Sequence, residues 1–173
     1  MHSLVLTVIG PDRPGLVDSL AEIVAAHQGN WLESRMAHLG GKFAGILHVV
    51  VPEQQTEALL AALETLGTHG LSVHAERDTV TEIHQTFRPV TLELLGNDRP
   101  GIVREVSHAL AGRGVNVEEF RTECIDAPMS GGTLFRATAQ LRLPPDLAAD
   151  DLRHQLEQLA HDLMVDISLN EPD

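Results

Sequence analysis

The chain has no tyrosine, one tryptophan, one lysine and one cysteine among its 173 residues. The lone cysteine, Cys124, excludes an intrachain disulfide framework and a thiolate metal cluster, and reads as a passive small residue. No apolar run approaches the roughly 18 residues that span a bilayer, and the N-terminus enters a strand pattern at once with no signal peptide. No membrane association is expected, and a cytoplasmic location is.

Basic charge is also scarce. The net charge is -13; residues 1–86 carry 4 basic minus 10 acidic groups, or -6, and residues 87–173 carry 8 minus 15, or -7. Phosphate recognition depends on clustered Lys and Arg. Here the single lysine is Lys42 and the arginines are scattered among carboxylates, so no direct nucleic-acid binding is expected. A protein partner or a small ligand fits better.

Catalytic signatures are missing as well: no Gly-x-Ser-x-Gly elbow, no His-Glu-x-x-His, no P-loop. Ser130, in Pro-Met-Ser-Gly-Gly, reads as part of a flexible loop. His154, Glu157 and His161 share a helical stripe, but the same helix buries Leu152, Leu156, Leu159 and Leu163, which turns His154 roughly 160° from the core direction. That stripe reads as a solvated face. No enzyme activity, metal or cofactor is expected.

What the chain does have is a repeat. Gly10-Pro-Asp-Arg-Pro-Gly-Leu-Val17 returns as Gly96-Asn-Asp-Arg-Pro-Gly-Ile-Val103, a shift of 86. The same shift carries Asn30 to Asn116, Arg35 to Arg121, and Leu16, Val17, Leu20 and Val24 to Ile102, Val103, Val106 and Leu110. Self-similarity at a fixed period in both turn and core positions indicates duplicated architecture. Phe43 and Pro52 match Phe135 and Pro144 at a shift of 92, so about six extra residues (92 minus 86) lie between Arg121 and Gly132. Two domains are expected, 1–86 and 87–173, each large enough for a small two-layer fold.

In the first copy, Ser3 to Gly10 reads as a strand, and Pro14 sits just inside a helix that runs to about Gln28. That helix buries Leu16, Val17, Leu20, Ile23 and Val24 and is capped by Gly29. Asn30 to Leu39 and Lys42 to Val51 form a hairpin about Gly40-Gly41, with Glu33 opposite His48. A second helix, Glu53 to Leu66, turns Leu59, Leu60, Leu63 and Leu66 to the core, and Leu71 to about Ile83 is a last strand. The second copy repeats the order: strand Pro89–Leu95, helix Pro100–Arg113, strands Val115–Cys124 and Thr133–Leu143, helix Pro145–Leu163, strand Val165–Leu169. This predicts an α+β fold, two ferredoxin-like βαββαβ units in tandem, each an antiparallel sheet with helices on one face.

The turn after each first strand is the candidate site. Gly10 and Gly15, and Gly96 and Gly101, bracket a bend where backbone can approach a ligand. The helix beyond it offers unpaired N–H groups and a positive dipole end suited to a carboxylate. The expected ligand-binding set is Asp12, Arg13, Pro14, Gly15, Leu16 and Asn30, with Asp98, Arg99, Pro100, Gly101, Ile102 and Asn116. The turn N–H groups take a carboxylate, and Asp12, Asn30, Asp98 and Asn116 take an ammonium group, so that together they suit a zwitterion. Folding alone also accounts for several of these residues, with Asp as helix cap, Pro in a first turn and Asn at a strand entrance.

The repeated Gly-x-Asp-Arg-Pro-Gly-[Leu/Ile]-Val, followed by Asn at the start of the second strand, resembles the first-loop pattern of the ACT domain, a regulatory module that commonly binds amino acids where copies pair. Asn30-Trp-Leu-Glu-Ser-Arg-Met-Ala-x-Leu-Gly-Gly-Lys-Phe-Ala-Gly45 and Ala127-Pro-Met-Ser-Gly-Gly-Thr-Leu-Phe135 resemble stand-alone tandem-ACT proteins of the glycine cleavage system transcriptional repressor family. The resemblance implies a homo-oligomeric sensor of a small amino acid, glycine or serine foremost. Such a sensor would act on glycine cleavage genes through a DNA-binding transcriptional activator. Two other readings stand beside it: a separately encoded regulatory subunit of an amino-acid or folate-pathway enzyme, and a ligand-independent dimerisation module using exposed sheet edges or helix faces.

Overall fold

A computed structural model describes residues 1–78, 87–127 and 132–171. The chain divides into two compact units, Met1–Glu82 and Ile83–Asp173. The first contains β1 (His2–Pro11), α1 (Leu16–Ala26), β2 (Asn30–Leu39), β3 (Lys42–Val51), α2 (Thr56–Thr65) and β4 (Ser72–Arg77). The second contains β5 (Arg88–Asn97), α3 (Ile102–Ala111), β6 (Asn116–Asp126), β7 (Thr133–Leu143), α4 (Ala149–Leu163) and β8 (Val165–Asn170). Each unit is a four-stranded sheet, ordered β2-β3-β1-β4 and β6-β7-β5-β8, with antiparallel neighbours throughout. This is the expected α+β, ferredoxin-like architecture, formed twice.

The period-two alternation of the strands builds each core. Leu4, Leu6 and Val8 of β1 join Leu47, Val49 and Val51 of β3 beneath Leu16, Leu20 and Val24 of α1 and Leu59 and Leu63 of α2. In the second unit Val90, Leu92 and Leu94 meet Ala139, Leu141, Leu143, Val106, Leu110, Leu152 and Leu156. Val17 and Val103, expected in the buried stripe, are instead 46% and 40% exposed. They lie about 60° round the helix from the centre of the Leu16, Leu20 and Val24 row. Ile23 and Leu60 pack only against the core margin.

The hairpin turns on Gly40 and Gly41 at φ 57° and 75°, and Leu39 faces Lys42 while Glu33 faces His48, as anticipated. A bulge between Trp31 and Glu33 leaves Leu32 as the extra residue; the same irregularity recurs between Val117 and Glu119. On the repeat's long side, Ala127 N–H donates to Gly132 O (2.9 Å), and the expected Ser130 loop lies outside the described residues. So does the expected end of the last strand of unit 1 at Ile83; β4 itself stops at Arg77.

Helix ends need correction. Neither Pro14 nor Pro100 is helical: α1 and α3 start at Leu16 and Ile102, behind Gly15 and Gly101, whose φ values of 87° and 97° only glycine adopts freely. Pro145 likewise precedes α4, because Leu147 N–H first closes a turn on Pro144 O and the chain extends through Ala148. At the end of α1 the left-handed residue is Gln28 (φ 57°), not Gly29. Gln28 N–H donates to Ala25 O and Gly29 N–H to Val24 O (both 2.9 Å), a Schellman closure with glutamine where Gly114 stands in unit 2. Gly29 instead keeps clear of Val24, whose side chain a Cβ would meet at 2.8 Å.

Gln28→Gly is therefore expected to stabilise the chain by about 0.5–1 kcal/mol, the left-handed penalty less glycine's own entropy cost. A lower urea midpoint for this variant would contradict the assignment.

Candidate functional site

Both first loops are built the same way. Asp12 N–H donates to Gly41 O (3.0 Å) and Asp98 N–H to Thr133 O (2.9 Å), which ties each loop to the far end of its neighbouring strand. The Asp12 and Asp98 side chains cap neither helix; the cap residues are Gly15 and Gly101, and no side-chain cap bond forms at either helix. The first intrahelical bonds run from Ser19 N–H to Gly15 O and from Glu105 N–H to Gly101 O. The N–H groups of Leu16, Val17 and Asp18, and of Ile102, Val103 and Arg104, are thus left with no helical acceptor at a positive dipole end. The side chains of Leu16 and Ile102 themselves belong to the cores, at 5% and 2% exposure.

Gly10 and Gly96 have a different reason from the one expected. A Cβ on Gly10 would meet Gly70 O at 2.7 Å, and one on Gly96 would collide with Val165. They are small because the chain entering the last strand packs against them, not to admit a ligand.

The two loops then diverge. In unit 1, Arg13 Nη2 donates to His69 O (2.7 Å), which bridges the loop to the turn before β4. Asp12 Oδ2 lies 3.7 Å from His38 Nε2. A groove of about 420 Å³ opens here between Arg13–Leu16, Ser19 and Glu22 on one side and Thr65 and His69 on the other. In unit 2, Arg99 turns to the Glu105 carboxylate (3.4 Å), one turn into α3. Glu105 holds the repeat position of Ser19, so unit 2 places its own carboxylate beside the helix start. The hollow of about 520 Å³ nearby is lined by Gly96, Asn97, Leu134 and Val165 instead of Arg99–Ile102.

The structure does not bring the asparagines to these loops within a unit. Asn30 faces Val50, whereas Pro11 faces Lys42 at the other end of β3, a separation of roughly 25 Å along the strand. Asn116 faces Arg142 while Asn97 faces Leu134. One unit alone therefore does not assemble the expected zwitterion set. Both asparagines are exposed at the entrances of β2 and β6.

Sequence reasoning missed a polar group on the sheet face away from the helices. Ser3 Oγ donates to Asp78 Oδ2 (3.1 Å) and lies 2.6 Å from His48 Nε2. His48 Nε2 also lies 3.5 Å from Asp78 Oδ2, so the three side chains form one cluster. The signal available was the expected pairing of Glu33 with His48. Among the described residues no cluster of metal-ligating side chains occurs, His154 is exposed with Nδ1 on Asp150 O, and Cys124 is exposed and free. Among those residues no helix is long and apolar enough to cross a membrane.

A four-stranded sheet with two helices on one face, a glycine-turned first loop and a paired edge hairpin, written twice, defines a tandem regulatory-domain architecture. Residues 2–76, the first unit, match the ACT domain, and the second unit repeats that unit's strand order and fold. An unknown protein from Galdieria sulphuraria is 32% identical over 99% of both chains, with a TM-score of 0.83. A structure provisionally named a glycine cleavage system transcriptional repressor superposes with a TM-score of 0.71 at 22% identity, covering 98% of this chain and 96% of that one, a likeness of fold. A UPF0237 protein of Methanococcus maripaludis is 26% identical over 83 residues, 46% of this chain and 92% of its own.

Gly15→Ala is expected to cost about 1–2 kcal/mol in urea unfolding through its left-handed backbone alone, since a Cβ there meets nothing within 4 Å. A neutral Gly15→Ala would remove the conformational reason for that glycine.

Proposed function

We propose that this protein is a non-catalytic amino-acid sensor whose occupied state alters its grip on a protein partner. The observation that carries this reading is the uncapped start of α1 behind Gly15, facing the groove between Arg13–Leu16 and His69. Three N–H groups and a helix dipole there suit one carboxylate. Asp12, exposed on the same loop, suits the ammonium end. The start of α3 has the same free N–H groups, on Ile102, Val103 and Arg104, but the Glu105 carboxylate already stands beside them; unit 1 is the stronger binder in this reading. Asn30 and Asn116, exposed at the entrances of β2 and β6, remain candidates for the ammonium end and are tested by substitution.

The proposed ligand is a small amino acid, glycine or serine. The proposed partner is a DNA-binding transcriptional activator, in keeping with the acidic chain and with the fold shared with the provisionally named repressor. For sensing, the ligand must bind one conformation more tightly than another, because equal affinity shifts nothing.

Calorimetric titration of the full chain with glycine and with L-serine tests the reading. Saturable binding is expected, lost at least tenfold in Ser19→Glu, which gives unit 1 the carboxylate that unit 2 already has. Binding that survives Ser19→Glu unchanged would move the site off this loop. The double variant Asn30→Ala, Asn116→Ala is expected to weaken binding with helical circular dichroism intact; unchanged affinity would remove both asparagines and leave the loop.

A further inference from the structure

The outer face of the first sheet carries a hollow of about 520 Å³ that the first-loop reading does not use. Its floor is Val5 on β1 and Ile46 on β3, and its rim is Glu33 and Arg35 of β2, with His48 and Asp78 at one end. Val5 faces His48, His48 faces Glu33 and Ile46 faces Arg35, so these side chains share one face of three adjacent strands. The bulge at Leu32 sets this phase, because it brings Glu33 and Arg35 onto the outer face while Trp31 stays over Val49.

The rim is a ready dipole. Arg35 Nη1 donates to Glu33 Oε1 at 2.9 Å, and both side chains are well exposed, so the pair contributes little to stability and is cheaply exchanged for a better partner. A zwitterion offers both halves of that exchange: its carboxylate replaces Glu33 on the guanidinium, and its ammonium takes the freed Glu33 carboxylate. The floor is apolar and wet, with Ile46 53% exposed, so covering it with a hydrocarbon side chain is favourable. At the far end, Ser3 and His48 hold Asp78, which is 14% exposed, and fix that wall.

The chain supplies its own comparison. Glu33 and Arg35 return as Glu119 and Arg121 after the same bulge, facing Gln140 and Thr138. There the floor positions are Thr91 and Thr138, and Thr91 Oγ1 donates to Gln140 Oε1 at 3.0 Å. The polar rim is duplicated but the apolar floor is not.

We propose that this hollow is a second binding site, confined to unit 1, for an amino acid with an apolar side chain. It is distinct from the first loop, since Val5 and Pro11 stand roughly 20 Å apart along β1.

The test is an NMR titration of the isotope-labelled full chain with L-leucine, and with glycine for comparison. L-leucine is expected to shift the Val5, Ile46 and His48 signals saturably and at least tenfold more tightly than glycine does. Arg35→Gln and Ile46→Glu, both at exposed positions, are each expected to weaken leucine at least tenfold, whereas Arg121→Gln and Ser19→Glu leave it unchanged. Leucine shifts absent from Val5, Ile46 and His48, or undiminished in Arg35→Gln, would overturn the proposal. Loss of those shifts in Ser19→Glu would also overturn it, by assigning them to the first loop.

Discussion

Leu4, Leu6 and Val8 on β1, and Val90, Leu92 and Leu94 on β5, are almost wholly removed from water. Because side chains on a strand alternate, this burial decides which face of each sheet the helices cover and which they leave. The covered face then requires α1 and α2, or α3 and α4, to return across it, which sends the chain from each first strand straight into a loop that must turn within a few residues. The glycines of that loop, its uncapped helix start and the outer-face hollow all descend from the same commitment.

Much of this was legible in the residues. Alternation and helical spacing located the eight strands and four α-helices of the described residues, and the Gly40-Gly41 dipeptide fixed a hairpin register that the structure reproduces from Leu39 to Glu33. Helix starts were less legible. Pro14 has the residue type of a first helical position, yet the left-handed Gly15 that follows it ends the loop only afterwards, and that conformation is set by how Pro11 and Asp12 are held against Lys42 and Gly41. Gln28 shows the same limit: a left-handed glutamine carries no local signal, and only its Gly114 counterpart hints at it.

For the candidate site, the repeat singled out two equivalent loops but not the difference between them. Arg13 and Arg99 are equivalent in the sequence; one reaches a backbone carbonyl some fifty residues away and the other a glutamate on its own helix, a choice made by Ser19 against Glu105. Nor does linear spacing say that Asn30 sits at the opposite end of the sheet from Asp12. That follows from β2 running parallel to β1 on the far side of β3, a matter of topology. The Ser3, His48 and Asp78 group spans most of unit 1 in sequence, and only the pairing of β1 with both β3 and β4 collects it.

Each unit closes its core with its own residues. A chain organised this way has two places at which it can be damaged and two reservoirs of order. Duplication thereby lets the two copies differ in surface chemistry, as Ser19 against Glu105 and Val5 and Ile46 against Thr91 and Thr138 do.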